Sequence, residues 1–349
     1  MAKLADVTAE IRTIGKILGI SLAIITVIFL FFKGGEIFKN VFFPTPPPPP
    51  AQKFGRLPQV AFPGNSPTGL TFRVNTLTGK LPATGSLPGE IPDRMKVYKV
   101  KPAVSSLVAL DGVRNNLQDV GFDTNETKLS DSIYQWNNST GTNIKYNIIN
   151  NDFGISSSYL TDPPPAALFG VIAQKDGAYD SAIDFLQGIN EDVSDLDQTK
   201  TTASYLKLDN GALVGASSLN DAQFIRVDLF QKSVDNYSIY YPGLTKSNMY
   251  FIYRNGDNGP SIVEALFTHS EVNSDESSDY PIKTADQAFE DLSHGNAYVI
   301  TTQKSTSIDI TDVSLGYYMG DEKQQYFLPI FVFKGDGFTA FVNAVSTAQ

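Results

Sequence analysis

Cysteine is absent from all 349 residues of the chain, so disulfides, a thiolate nucleophile and thiolate-held metals are excluded. Histidine is scarce: His269 and His294 are the only two, and neither stands at a spacing used by metal centres or catalytic triads. Positive charge is in deficit, with 27 Lys and Arg against 37 Asp and Glu, a net charge of −10 and a pI near 4.7. Such a surface repels phosphate backbones and anionic lipid headgroups, which argues against nucleic acid as a partner. The chain also lacks G-x-S-x-G, a phosphate loop, H-E-x-x-H and a dinucleotide fingerprint. These absences point away from an enzyme and lead us to expect no cofactor, although 37 acidic residues leave room for a carboxylate pair. Two acidic runs, Glu191, Asp192, Asp195 and Asp197, then Asp275, Glu276 and Asp279, read as solvated loops and not as calcium loops, because the alternating ligands and central glycine are missing.

Near its start the chain carries one long apolar stretch. Ile17 to Phe32 is uncharged and lies between Lys16 and Lys33. With Ile14, Gly15 and the lysine stems it reaches about the 20 residues that a bilayer core requires. It exceeds a signal-peptide core and has no small-x-small cleavage site after it. The expectation is a single-pass helix held in the lipid bilayer through Ile14–Phe32, with the N-terminus inside and the rest outside the cytoplasmic membrane. Pro44 and Pro46–Pro50 then favour a stiff polyproline II spacer. The expected organisation is a stub and transmembrane helix (1–43), a Pro-rich stalk and irregular lead-in (44–94), a first α+β module (95–160) and a second, larger α+β region (161–349).

Periodicity supplies the elements. Leu110, Val113, Leu117 and Val120 predict a helix closed by Gly121, and Ala178, Ala182, Phe185, Leu186 and Ile189 predict a second apolar helical face. Thr284 and Gln287 form a capping-box pattern, with Ala285, Ala288, Phe289 and Leu292 on one face and Gly295 as the stop. Strands are expected over 132–136, 143–149, 203–208, 223–230, 237–241, 249–253 and 262–272. In the last strand Leu328, Ile330 and Val332 alternate with Phe327, Phe331 and Phe333, so both faces should be covered.

The strings TADQAFEDLSHGNAYVI and ITDVSLGYYMGDEKQQYFLPIFVFKG resemble the C-terminal pattern of the YycH/YycI group and related PepSY-like bacterial envelope domains over roughly the last 70 residues. The resemblance implies an α+β ectodomain of PepSY-like modules with helices packed on antiparallel sheets. It also implies a tethered, non-catalytic protein that contacts other envelope proteins, including sensor kinases, and it names no active-site residue. Aromatics are plentiful, with 16 Tyr and 23 Phe, and Tyr240, Tyr241, Tyr317 and Tyr318 stand as adjacent pairs. In a strand one of each pair should face the core and the other solvent or a partner. The function expected is binding or regulation through another envelope protein or a cell-surface polymer. The alternatives are an envelope hydrolase with a carboxylate pair, or a structural subunit of a surface assembly.

Overall fold

β-Structure dominates the fold because apolar alternation and β-branched or aromatic residues fill most of the segments between turns. The computed structural model describes residues 49–64, 69–102, 109–161, 173–256 and 259–346. Among them are eighteen strands and three α-helices: α1 (Ala109–Asp119), α2 (Lys175–Gly188) and α3 (Ala285–Ser293). This corrects the expected α+β plan of PepSY-like modules. The helices are few and short, and they lie against large sheets that strand pairing alone would build.

Strand β1 (Thr71–Val74) pairs in parallel with β15 (Ser307–Ile310) as a separate ribbon. A seven-stranded sheet runs β10 (Ser238–Tyr240), β16 (Asp312–Tyr318), β17 (Tyr326–Gly335), β18 (Phe338–Asn343) and β14 (Tyr298–Thr301), with β2 (Arg94–Val100) on β17 and β13 (Val272–Pro281) on β2. A nine-stranded antiparallel sheet begins with the meander β3 (Thr127–Lys128), β4 (Ile133–Asn137), β5 (Asn143–Asn147) and β6 (Phe153–Ser156). It continues through β12 (Gly259–Phe267), β11 (Met249–Gly256), β9 (Phe224–Asp228), β7 (Thr202–Asp209) and β8 (Ala212–Gly215). The β6–β12 pairing joins residues on both sides of the module boundary expected at 160, and β2 belongs to the other sheet, so that boundary falls inside one sheet. Local periodicity does not reveal which distant strand a segment pairs with.

Strand β17 is buried from Phe327 to Phe333 on both faces. Phe327, Phe331 and Phe333 enter the large core shared with α3, while Leu328, Ile330 and Val332 enter a second cluster with Val97, Tyr318 and Phe341. That second face is closed by the irregular lead-in. Phe62 meets Tyr318 edge-on at 4.9 Å, Phe54 lies 5.3 Å from Tyr326, and Val60 is buried beside them. Backbone bonds from Gln52 to Asp279 and from Phe54 to the Tyr280 hydroxyl fix the segment there. Residues 52–62 are therefore a cover on the sheet and not part of a free spacer. Pro329 is tolerated inside this central strand because β2 pairs only with Tyr326 and Phe327 and β18 only from Ile330 onward, so its missing N–H falls in a gap of the ladder.

Helix α3 carries the expected capping box: the Thr284 hydroxyl accepts from the Gln287 amide, and the Gln287 side chain accepts from the Thr284 amide. Gly295 follows at φ +81°. Its Leu292 is buried, but Phe289 is half-buried and sits 6.2 Å from Phe333. It thus meets the opposite face of the sheet from Leu328 and Ile330. On the nine-stranded sheet, α2 buries Ala178, Ala182 and Leu186 and sets Phe185 against Phe153 and Phe251 at 5.9 and 5.8 Å. Among the described residues no helix is long and apolar enough to cross a membrane, so the structure lends no support to a single-pass transmembrane protein. The run Ile14–Phe32, on which that reading rests, and Pro44–Pro48 lie outside the described residues.

Replacing Phe331 with Ala should cost about 3–5 kcal/mol, since its ring is fully buried. Replacing the half-buried Phe289 should cost less, about 1–2 kcal/mol. Urea unfolding of the two variants checks the order; a reversed order would move the centre of the core from β17 to α3.

Candidate functional site

The four paired tyrosines do not form an outward row. Tyr317 and Tyr318 are both fully buried, on opposite faces of β16. The Tyr317 hydroxyl donates to the Lys96 carbonyl at 2.9 Å, and Tyr318 packs under Phe62. Tyr241 is buried and donates to Gln231 Oε1 at 3.0 Å. Tyr240 alone is half-buried, with its ring 5.3 Å from Phe341. A strand covered on both faces leaves neither member of a pair for solvent, which is why alternation misleads here.

A cavity of about 470 Å³ opens where the nine-stranded sheet meets the ends of α1 and α2. Its walls come from the residues after α1 (Val120–Phe122), the β4–β5 turn, the stretch after β6, Phe185 of α2, the start of β12 and Arg254 of β11. The turn is held by Asn138, whose Oδ1 accepts from the amides of Thr140 and Thr142 at 3.0 and 2.9 Å. Ser157 is tied across to the Val263 carbonyl at 2.9 Å. Around this cavity the charges are matched in pairs. Both oxygens of Glu264 are taken by tyrosine hydroxyls, Tyr159 at 2.5 Å and Tyr250 at 2.7 Å. Burial, then the Glu264 hydrogen bond, pushes the Tyr250 phenol up to about 12 and the Tyr159 phenol upward as well. Arg226 stacks on Tyr250 and forks onto Asp228 with bonds of 2.7 and 2.8 Å.

Arg254 is the exception. It stands opposite Ser261 of β12 and Phe224 of β9, and its Nε is buried with no hydrogen-bond partner. No carboxylate of the described residues forms an ion pair with it, and none lines the cavity. Ser139, Ser158 and Ser261 also line the cavity, and their hydroxyls make no hydrogen bond among the described residues. Sequence reasoning passed over Arg254. The available signal was a lone cation ending the otherwise apolar and aromatic run MYFIYR.

A second polar cluster lies in the seam between the two sheets, along a cleft of about 360 Å³ lined in part by Lys101, Glu191, Asp192, His269, Glu271 and Lys323. His269, inside the strand expected over 262–272, instead follows the end of β12 and keeps 11% side-chain exposure. Its Nε2 lies 3.0 and 3.1 Å from the Asp195 carboxylate oxygens. Gln231 donates to Asp195 at 2.7 Å and to the Ser270 carbonyl at 3.0 Å, Tyr146 donates to Glu191 at 2.5 Å, and Lys101 pairs with Glu271. Lys323, from the β16–β17 connection, reaches Asp152 at 3.2 Å and the His269 carbonyl at 3.0 Å. Glu191 and Asp195 therefore belong to a built seam and not to a solvated loop. His294, by contrast, caps α3 and bonds only the Glu290 carbonyl.

Burial disfavours the charge on His269, but the hydrogen bond and charge of Asp195, with Glu191 and Glu271, outweigh it and raise the imidazole pKa. Burial likewise opposes ionisation of Asp195, and His269 and Gln231 overcome it, so that pKa is lowered. For Glu191 and Asp152 burial prevails over their partners and the pKa values rise.

A raised histidine value means that the pair's stabilisation is complete below about pH 6.5 and is lost as pH climbs through the folded-state pKa. A lowered Asp195 value means that it is also lost as pH falls from about 3.9 through the folded-state pKa. Glu191 and Asp152 act in a separate, more acidic window, since their raised values favour the protonated form in the folded chain and that contribution is lost as pH rises from about 4 through their folded-state values. His269→Gln should cost about 1–3 kcal/mol at pH 6 and much less at pH 9. Urea unfolding at both values checks this; an equal loss at the two would show that the pair is not charged in the fold. No protein-family profile matches the chain, and no curated protein matches it in sequence.

Proposed function

We propose that the chain is a binding module, acting by recognition and not by catalysis, and that it holds an anionic group of its ligand on Arg254. The observation that carries this is the buried Nε without a partner on Arg254, a residue that lines the 470 Å³ cavity. An unmade hydrogen bond at a buried donor costs about 1–3 kcal/mol, more when the group is charged. Among the described residues no carboxylate forms an ion pair with Arg254 to offset that cost. A cation left poised this way suits a complementary charge arriving from outside. Arg254 is the only charged side chain among the described residues that line the cavity, and no histidine or carboxylate is among them. That set can hold and orient a ligand but supplies no acid–base pair. Recognition of another protein or of a surface polymer, as the composition suggests, fits such a module.

Arg254→Met keeps the apolar stem and removes the guanidinium. The variant should melt at the wild-type temperature or a few degrees above it, because a buried donor without a partner, the Arg254 Nε, is removed. At least one of millimolar glucuronate, benzoate and phosphate should raise the melting temperature of the wild type, and the variant should lose that rise. Scanning fluorimetry reads both quantities; a lower melting temperature with unchanged anion effects would make Arg254 a structural residue.

A further inference from the structure

Resting on that reading, we infer that the ligand is a polyhydroxylated carboxylate, an acidic sugar of the uronate class, with its carboxylate on Arg254 and its hydroxyls on the serines of the cavity wall. Three observations select this class from other anions.

The first is charge. A single guanidinium fork matches the two coplanar oxygens of a carboxylate. A phosphate near neutral pH carries more negative charge and is usually met by several cations or a helix N-terminus. Here the cavity has one cation among its described lining residues and meets α1 at its C-terminal end, where the helix dipole is negative. A monoanion is matched by this field, while a dianion is left with excess charge.

The second is the hydroxyls. Ser139, Ser158 and Ser261 stand on three separate segments around the cavity, the β4–β5 turn, the stretch after β6 and the start of β12. Each has a side-chain hydroxyl with no internal bond among the described residues. An acid with an apolar body would cover them without repaying their lost hydration. A ligand with hydroxyls on several carbons can bond all three.

The third is the shape and the apolar share of the wall. Phe122 and Phe185 line the same cavity and give its wall an apolar share against which the C–H face of a sugar can lie. The volume of about 470 Å³ falls within the range of roughly 300–1,000 Å³ typical of small-molecule sites.

Calorimetric titration of the full-length chain with D-glucuronate, its neutral amide, D-glucose, inorganic phosphate and N-acetylphenylalanine tests the inference. D-Glucuronate should bind roughly tenfold to a hundredfold more tightly than the amide or glucose, the factor expected of a charged hydrogen bond. Arg254→Met should remove that advantage, and Ser261→Ala should weaken glucuronate several-fold without affecting any response to phosphate. Arg254-dependent binding of phosphate or N-acetylphenylalanine with no binding of glucuronate would overturn the sugar class and leave the anion reading standing. Absence of any Arg254-dependent binding, or glucuronate binding that survives Arg254→Met, would overturn both.

Discussion

Two-sided burial of β17 is the constraint on which the rest of the fold depends. A strand whose residues from Phe327 to Phe333 are all buried needs hydrogen-bonding neighbours along both edges and an apolar cover on each face. β16 takes one edge, and β18 with β2 divides the other. Helix α3 and the large core take one face, and the lead-in around Phe54, Val60 and Phe62 takes the second. The irregular, proline-bearing segment is thus structurally necessary: without it the row formed by Tyr318, Leu328, Ile330 and Phe341 would be an apolar surface open to water.

The polar residues follow a related logic. Where the two sheets approach, their ends bring acids, lysines and His269 into a partly dry seam, and almost every group there finds a partner. Asp195 has His269 and Gln231, Glu191 has Tyr146, and Asp152 has Lys323. Desolvation and pairing pull in opposite directions, so neighbouring carboxylates shift in opposite senses, Asp195 down and Glu191 up. Such a network fixes the relation of the sheets more than it adds to net stability. Of the six side chains among the described residues with a buried polar atom that lacks a partner, Arg254 is the one that carries a charge.

What the sequence disclosed was whatever depends on near neighbours. The capping box of Thr284 and Gln287, the apolar face of α2 and the two-sided pattern of β17 could be read because each rests on spacings of two, three or four residues. Pairing between distant strands left no comparable trace. Nothing in the run of β2 indicates that it joins β13 and β17 while β4 and β5, close by in sequence, enter a different sheet. The same limit hid the site. Tyr317 and Tyr318 looked like a half-exposed pair because alternation presumes one wet face, and Arg254 looked ordinary because its lack of a partner is a property of the assembled walls.

The anion reading must also hold in a chain whose net charge is −10. At physiological ionic strength charges are screened beyond about 8 Å, so most of the acidic surface is felt only weakly inside a cavity. Elsewhere on the same sheet Glu264 is tied by two tyrosine hydroxyls and Asp228 is neutralised by Arg226, and among the described residues that line the cavity Arg254 carries the one charge. Arg254 then sets the local sign, and the negative surface acts mainly on the approach, slowing anions in general and favouring those with enough hydroxyl and ring contacts to remain once inside. An acidic protein that selects an anion in this way relies on short-range geometry, which is what one positive fork, three unengaged serine hydroxyls and two phenyl rings provide.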